Sequence, residues 1–310
     1  MIVLINPSIF YTNLGSNDFK EVFINSNVTI AYVFEENGNY RLDGCSLEQL
    51  ISADRVFIDD YFSNPQEEID FITSNCKLIN RNFKIESLVD FWERHRKMAA
   101  IFESNERIFY PYYIDFLEPS WKYEFYQRLF DLVIVMLVFP VALIIVLISI
   151  FILYFMDGIP LFFIQDRVGK NSKSFALKKI RTMMNNSGER YTTLNDNRIF
   201  PFGKLLRRMK IDEIPQLLNI LNGNMSLIGP RPERVDFHTE ILKEIVHFDK
   251  RLLIKPGITG WAQVNVPTAT PKESLIKLKY DIFFIKNVSF LFLIKILYET
   301  VFIILSRKSL

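Results

Sequence analysis

The feature that most constrains the fold is an apolar run at 129–155, LFDLVIVMLVFPVALIIVLISIFILYF. Its only charged residue is Asp131, near the start, and the run is long enough for a helix to cross the hydrocarbon core of a bilayer. Pro140 lies in the middle, where it removes a backbone hydrogen bond and bends a helix. The pattern predicts a membrane-inserted helix with a kink at Pro140.

Two topologies are compatible with that helix. A spanning helix would place the two parts of the chain on opposite sides of the membrane, whereas a re-entrant hairpin would keep both on one side. The N-terminus, MIVLINPSIFY, lacks the positive region of a signal peptide, and the part after the run is rich in Lys and Arg, as cytoplasmic segments are. Both flanks are therefore expected in the cytoplasm, which favours the re-entrant hairpin and leaves a single crossing as the alternative.

Charge is unevenly distributed along the chain. Residues 1–156 contain 12 Lys and Arg against 21 Asp and Glu, whereas residues 157–310 contain 25 against 14. The difference fits two domains of unlike surface charge, or binding of phosphates or an anionic membrane by the second part. Nucleic acid is not an expected partner, because the basic residues lie near apolar segments rather than in a soluble arm.

Residues 1–118 have the pattern of a small α/β domain. Short apolar runs predict strands at 2–5, 28–34, 55–59 and 77–79, and the polar segments between them favour a parallel sheet. The first loop contains a single glycine, so a dinucleotide-binding fingerprint is missing. A structural or regulatory role is favoured over cofactor binding, while ligand binding and dimerisation with a second copy stay open.

Residues 119–310 form the second predicted domain, which contains a further apolar run at 288–306. Lys295 and Glu299 lie inside that run at i,i+4 spacing and create one polar stripe. An interfacial helix in the membrane plane fits this pattern better than a spanning one, and a helix packed in the protein core is the alternative.

An adjacent acid pair, Asp212 and Glu213, is the strongest candidate for chemistry. Pro215 is tolerated in the first turn of a helix, so a helix is expected to start near Asp212. The helix dipole would stabilise ionised Asp212 by about 0.3–1 kcal/mol and prepare it to act as a nucleophile or to bind a metal ion. Helix capping is the plain alternative, because aspartate is a favoured cap residue.

Cationic side chains flank this pair in the sequence. Arginine suits phosphate binding through two parallel hydrogen bonds, and a proline on either side fixes the backbone of Arg231. The candidate phosphate ligands are Arg207, Arg231, Lys179, Arg181 and Arg198, with Pro230 and Pro232 beside Arg231. In the loop KPGITGWAQV, Trp261 and Gln263 follow two glycines, and this loop is either a turn over the core or a lid near the substrate.

Six segments in this order resemble the bacterial sugar transferases, the monotopic polyprenyl-phosphate phosphoglycosyl transferases. They are QRLFD, DGIPLFFIQDRVG, FALKKIRTM, RIFPFGKLLRRMKIDEIPQLLNIL, MSLIGPRPE and KPGITGWAQV, and they extend from Tyr126 to about Lys308. The resemblance implies a mainly α, monotopic catalytic domain whose re-entrant helix hairpin is broken at Pro140. Residues 1–118 resemble, more weakly, the small, degenerate, Rossmann-like domain of some long members.

The family resemblance also implies roles for individual residues. Asp212 would be the nucleophile, placed to bind Mg²⁺, Glu213 its partner, and Arg207 and Arg231 phosphate ligands. The basic pair Lys179 and Arg181 matches the family pattern as well. The chain departs from that pattern at Phe139, where serine is usual, and at Met209-Lys210, where small hydroxyl residues are common.

The activity that the resemblance implies is transfer of a sugar-1-phosphate from a UDP-sugar to undecaprenyl phosphate, with Mg²⁺ as cofactor and release of UMP. It would take place at the cytoplasmic face of the bacterial inner membrane. It would begin a lipid-linked glycan, such as an exopolysaccharide, capsule, O-antigen or glycoprotein glycan. The competing prediction is an inactive membrane-bound scaffold or regulator of glycan assembly, and UMP release from UDP-sugars separates the two.

Overall fold

The computed structural model describes residues 2–5, 28–30, 32–36, 39–43, 55–58, 84–104, 107–119, 121–184, 196–267 and 273–306. Contacts within the chain divide it into two units, Met1–Leu117 and Glu118–Leu310.

The first unit contains a parallel sheet. The described strands of this unit are β1 (Ile2–Ile5), β2 (Val28–Ile30), β3 (Tyr32–Glu36), β4 (Asn39–Asp43), β5 (Arg55–Ile58), β6 (Lys84–Ser87), β7 (Phe102–Ser104) and β8 (Arg107–Phe109). Four of them pair in parallel in the order β2-β1-β5-β6, whereas β3 with β4 and β7 with β8 form antiparallel pairs. Helix α1 (Leu88–Arg96) follows β6, and Oγ of Ser87 caps it by accepting from the amide of Asp90. A 3₁₀ turn, Tyr112–Phe116, comes after β8.

The strands predicted at 2–5 and 55–59 correspond to β1 and β5. The single strand predicted at 28–34 was wrong, because β2 joins the parallel sheet while β3 forms a separate hairpin with β4. The sequence between β3 and β4 is Asn37-Gly38, a dipeptide typical of two-residue hairpin turns, which indicates a hairpin at this position. The strand predicted at 77–79 lies outside the described residues, and the Rossmann-like character of this unit stays a prediction.

The second unit is mainly helical, as predicted. Its helices are α2 (Trp121–Asp157), α3 (Pro201–Arg208), α4 (Leu217–Leu221), α5 (Val235–Glu244), α6 (Trp261–Asn265), α7 (Ser274–Asn287) and α8 (Phe290–Leu305). Strands β9 (Phe162–Val168) and β10 (Ser174–Ile180) form an antiparallel hairpin, and β11 (Ser226–Ile228) pairs in parallel with β12 (Gly257–Thr259). Short 3₁₀ segments occur at Lys170–Ser172, Ile211–Gln216 and Phe248–Leu253.

Helix α2 contains the apolar run and extends beyond both of its ends. It includes Pro140, and among the described residues it is the one helix long and apolar enough to cross a membrane. One stripe of α2 packs against the rest of the unit: Val135 and Ala142 contact β10 and α4, and Leu153 contacts Ile180 and Leu206. The other faces expose large apolar side chains to the surroundings, among them Met136, Leu137, Val141, Ile144, Ile148 and Phe151. A turn of the chain near Pro140 stays a prediction.

Polar contacts attach both ends of α2 to the same unit. Near its start, Nε2 of Gln127 donates to Oγ of Ser226 at 2.9 Å, and Asp131 accepts from that hydroxyl at 3.0 Å. At its end, Arg181 donates to Oδ2 of Asp157 at 2.6 Å and also to three carbonyl groups of the segment 157–160. The two ends of the apolar helix are therefore bound to one folded body.

Helix α8 lies within the predicted run at 288–306 and begins after Ser289, whose Oγ accepts from the amide of Phe292. Lys295 lies 3.7 Å from Glu299, which confirms the expected i,i+4 contact, and its ammonium is 5.1 Å from the ring centre of Trp261. Leu293 and Ile296 are buried, whereas Leu291, Tyr298, Val301 and Phe302 are exposed. Packing in the core accounts for only one side of α8, and the in-plane position of this helix stays a prediction.

Glycines bring the backbone before Arg231 against strand β12. The amide of Gly257 donates to the carbonyl of Pro230 at 2.9 Å, and the amide of Gly229 donates to the carbonyl of Thr259 at 2.8 Å. A Cβ atom on Gly257 would lie 2.1 Å from the backbone nitrogen of Gly229. Only glycine allows this approach.

We expect Gly257→Ala to lower the free energy of unfolding by about 3 kcal/mol or more, because the clash is with backbone that cannot rotate away. Thermal unfolding in detergent measures the change. Gly223→Asn is the matched control: its φ is +80°, a Cβ there meets only Nζ of Lys255 at 3.9 Å, and asparagine tolerates the left-handed region. The control should lose no more than about 1 kcal/mol. Equal losses in the two variants would contradict the close packing at Gly257.

Candidate active site

The β9–β10 hairpin supplies one side of the site. Residues on one face of a strand alternate with those on the other, and the register pairs Arg167 with Phe175 and Phe163 with Lys179. Arg167 and Lys179 therefore lie on the same face of the hairpin. That face also carries Leu177, which packs into the core beneath the site.

The 3₁₀ segment Ile211–Gln216 supplies the acid pair. Helix α3 ends at Arg208, and Lys210, at a φ of 57°, reverses the chain before the segment. The helix expected to start near Asp212 begins at Ile211; it is a 3₁₀ helix, and α4 follows from Leu217. Both Asp212 and Glu213 are buried, which a plain surface cap would not require.

Glu213 is held between two cations. Its Oε1 accepts from Nζ of Lys179 at 2.6 Å and lies 3.6 Å from the guanidinium of Arg231. Burial alone would raise the pKa of Glu213, but Lys179, Arg231 and Lys210 hold that pKa well below its usual range. Glu213 is therefore an ionised carboxylate that neutralises part of the charge of its neighbours.

Asp212 has a different environment from its neighbour in the sequence. Its Oδ1 is buried and has no hydrogen-bond partner in the part of the chain that the structure describes. Burial raises the pKa of Asp212, and Lys179 and Arg207 oppose this effect. A buried carboxyl with an unused oxygen beside several cations is placed to bond to an electrophile or to a metal ion.

Arg207 is positioned by close packing of α3 on the chain after β10. A Cβ on Gly203 would lie 2.3 Å from the carbonyl oxygen of Thr182, so glycine lets the two segments approach. Nε of Arg207 then donates to Oγ1 of Thr182 at 2.7 Å. The contact uses one donor of Arg207 and holds its guanidinium on the side of the acid pair, where Asp212 interacts with it electrostatically.

A small cleft opens beside Glu213. Its charged lining consists of three cations and one carboxylate: Arg167, Lys179, Arg231 and Glu213. Pro232 also lines it, whereas Pro230 is buried and holds Gly257 through its carbonyl. The lining has excess positive charge and is suited to an anion.

Arg167 and Gln216 line this cleft and were missed in the sequence. The alternation of residues in IQDRV and FALKK would have placed Arg167 on the same face as Lys179, had the hairpin register been known. Burial and the neighbouring Arg231 lower the pKa of Arg167 to about 10, so it stays charged at neutral pH.

Two predicted phosphate ligands have other partners. Arg181 is 5% exposed and binds the end of α2, because the chain leaves strand β10 at Ile180 and turns its guanidinium toward Asp157. Arg198 lies 2.5 Å from Asp196 in an ion pair close along the chain. Neither residue lines the cleft, and neither does Arg207, so phosphate binding by these three arginines stays a prediction.

The loop residues Trp261 and Gln263 lie away from the cleft lining as well. Trp261 is 3% exposed and contacts Tyr280 and Phe292 edge to face. Nε2 of Gln263 donates to the carbonyl of Ile258 at 3.2 Å. The structure places the indole beneath α7 and α8, as a turn over the core requires, and a position of this loop near the substrate stays a prediction.

Comparison with known proteins identifies the family of this chain. The family model described as "Bacterial sugar transferase" matches residues 122–307. The chain belongs to the bacterial sugar transferase family. The matched part contains the acid pair, Arg231 between its two prolines, and Arg207 in α3. It also contains all of α2 except its first residue.

Individual relatives match the same part of the chain. A UDP-N-acetylgalactosamine-undecaprenyl-phosphate N-acetylgalactosaminephosphotransferase of Aeromonas hydrophila is 36% identical over 194 residues, which are 61% of this chain and 46% of the relative. An uncharacterized sugar transferase, EpsL, of Bacillus subtilis is 39% identical over 176 residues, 56% of this chain and 85% of the relative.

A UDP-glucose:undecaprenyl-phosphate glucose-1-phosphate transferase of Xanthomonas campestris pv. campestris is 40% identical over 157 residues, 48% of this chain and 32% of the relative. The chain thus spans less than half the length of the two relatives that are named for a substrate.

Neutralising the two neighbouring carboxyls should change stability in opposite directions. Asp212→Asn removes a buried carboxylate with an unpaired oxygen, so we expect the free energy of unfolding near neutral pH to rise by about 1 kcal/mol. Glu213→Gln leaves Lys179 buried without its carboxylate, so we expect a loss of about 3 kcal/mol or more. Thermal unfolding in detergent compares both variants with the wild type.

The pH dependence of unfolding checks both signs. Because the folded-state pKa of Asp212 is raised, its charge costs stability above that pKa, and the gain from Asp212→Asn should vanish below the ordinary pKa of about 3.9. Because the folded-state pKa of Glu213 is lowered, its stabilisation is present above about pH 4.3 and lost as the pH falls further. A common sign for the two variants near neutral pH would refute the assigned environments.

Proposed function

We propose that the protein transfers a sugar-1-phosphate from a UDP-sugar to undecaprenyl phosphate and releases UMP. The observation that carries the proposal is the buried carboxyl of Asp212, whose Oδ1 has no hydrogen-bond partner in the described ranges. Its neighbour in the sequence, Glu213, lines a cleft with three cations. Family membership supports the proposal, because the relatives whose names state their substrates are named for undecaprenyl phosphate and a UDP-sugar. Those relatives are named for different sugars, so the sugar is left unassigned here.

The chemistry divides into two transfers at Asp212. A carboxylate oxygen of Asp212 attacks the phosphorus next to the sugar, and the bond from that phosphorus to the UMP oxygen breaks, so that UMP leaves with the electron pair. A phosphate oxygen of undecaprenyl phosphate then attacks the same phosphorus. The bond to Asp212 breaks, which regenerates the carboxylate and gives the lipid-linked diphosphate sugar.

The cations around the acid pair would stabilise the charge of both transition states. Arg231 is half-exposed at the cleft, and the charges of Lys179 and Arg207 both act on the carboxyl of Asp212. Glu213 would keep Lys179 and Arg231 in place without itself reacting, because two cations already engage it.

Mg²⁺ is part of the proposal as a cofactor. No cluster of three or more His, Cys, Asp or Glu side chains that could hold a metal occurs among the described residues. The unpaired oxygen of Asp212 nevertheless fits Mg²⁺, which commonly takes one or two carboxylates together with substrate phosphates. When bound, the ion would neutralise charge on the diphosphate, and Asp212 is the residue that would hold it.

We further propose that α2 enters the cytoplasmic leaflet of the inner membrane and returns to the same side. The exposed apolar faces of α2 require a lipid-like surrounding. Both ends of α2 are bound to one folded body, which supports a common side for its two flanks. Pro140 provides a position for the turn, because it removes one hydrogen bond of the helix.

The covalent step has a direct test. We expect Asp212→Asn to abolish UMP release, by at least about a thousandfold, because an amide is not a nucleophile of comparable strength. Wild-type protein incubated with a radiolabelled UDP-sugar in the absence of acceptor should retain label through denaturation, at a peptide containing Asp212. Asn222→Asp, at an exposed position nearby, serves as the control for an Asp/Asn change in the same region and should leave no additional labelled peptide. Turnover by Asp212→Asn at the wild-type rate would exclude the mechanism.

The topology is tested with single cysteines at Lys122 and Lys173, both exposed and on opposite sides of the apolar run at 129–155. Cys45 and Cys76 are first replaced by serine. In intact spheroplasts a membrane-impermeant maleimide should label neither position, and after lysis it should label both. Labelling of one position alone before lysis would establish a crossing, and labelling of both would place the flanks outside.

A further inference from the structure

Arg167 combines features that the proposed chemistry does not yet use. Its Nη1 donates to the carbonyl of Pro232 at 3.2 Å, and its Nη2 donates to Oε1 of Gln165 at 2.7 Å. Its Nε is buried and has no hydrogen-bond partner among the residues that the structure describes. The guanidinium is therefore fixed by two acceptors and retains an unused donor.

The surroundings of Arg167 favour an anion. Arg167 and Arg231 both line the cleft, and burial together with the charge of Arg231 lowers the pKa of Arg167. Glu213, the one carboxylate in the lining, is already engaged by Lys179 and Arg231. Two guanidinium groups held together with an unpaired donor are costly unless a further negative group binds between or beside them.

Local structure keeps Arg167 in this position. It lies near the end of β9, and its backbone forms a bridge with Arg234, just after the turn that carries Arg231. The carbonyl of Pro232, which accepts from Arg167, belongs to that turn. The hairpin and the proline turn thus place two arginines from distant parts of the sequence at one cleft.

We propose that Arg167 is a substrate-binding residue that holds the diphosphate of the donor together with Arg231. This inference rests on the proposed function and adds a second guanidinium to its phosphate ligands. A diphosphate has enough oxygens for both arginines, and planar guanidinium groups bind such oxygens more specifically than an ammonium does.

The test uses full-length protein in detergent with Mg²⁺ and compares Arg167→Lys, Arg231→Lys, the double variant and Arg234→Lys. UDP is the binding probe, measured by calorimetry, and initial rates of UMP release give kcat and KM for the UDP-sugar. We expect Arg167→Lys to weaken UDP binding by about tenfold to a hundredfold, the effect of losing a charged hydrogen-bonding geometry. Arg234 is the matched control, because it pairs with Asp236 at 2.6 Å and does not line the cleft.

The double variant examines whether the two arginines hold one ligand. If they do, the loss in UDP affinity for Arg167→Lys with Arg231→Lys should be smaller than the product of the two single losses. Thermal unfolding of Arg167→Lys should match that of Arg234→Lys, so that lower affinity cannot be attributed to a disturbed fold. UDP affinity and KM equal to those of Arg234→Lys would overturn the inference.

The proposed function and this inference fail in different ways. If Asp212→Asn is inactive and Arg167→Lys binds UDP normally, the proposed transferase activity stands and Arg167 is not part of the diphosphate-binding site. An active Asp212→Asn would reject the covalent mechanism whatever the behaviour of Arg167. If Arg167→Lys loses UDP binding but the wild type releases no UMP, the diphosphate-binding site stands and the proposed transferase activity is wrong.

Discussion

The ion pair between Lys179 and Glu213 is the interaction on which the arrangement of the site depends. It joins the β9–β10 hairpin to the 3₁₀ segment at 2.6 Å and brings a lysine and a glutamate from distant parts of the chain into the interior. Because this contact and Arg231 satisfy Glu213, Asp212 is the member of the pair that keeps an unused oxygen. Two adjacent carboxyls thereby acquire different properties from their surroundings alone.

Much of the site could be predicted from the sequence because its residues are concentrated in short motifs. The acid pair, Lys179, Arg207 and Arg231 lie close together in the folded chain, and the proline-flanked arginine is recognisable without any structure. Residue type alone could not distinguish Arg181 from Arg167. That distinction depends on where β10 ends and on the register of the hairpin, which are properties of strand pairing rather than of either motif.

The fold was predictable where apolar content was decisive and less so at boundaries. The run at 129–155 identified α2, but the first turns of this helix, from Trp121 to Arg128, contain polar and aromatic residues that hydropathy does not recognise as helix. Trp261 follows two glycines and resembles a loop tip in the sequence. Its burial results from α7 and α8, whose contact with it is a long-range consequence of folding.

The packing of α2 determines whether the rest of the second unit could fold without this helix. Val135 and Ala142 on α2 pack in one core with Phe175, Leu177, Leu217 and Ile220, so the apolar helix completes the hydrophobic core of the second unit. Removing α2 would expose that core, deprive Ser226 of its buried partners Gln127 and Asp131, and leave buried Arg181 without Asp157. The second unit thus cannot keep this core without α2, and a fragment cut after Asp157 should not fold into the same body.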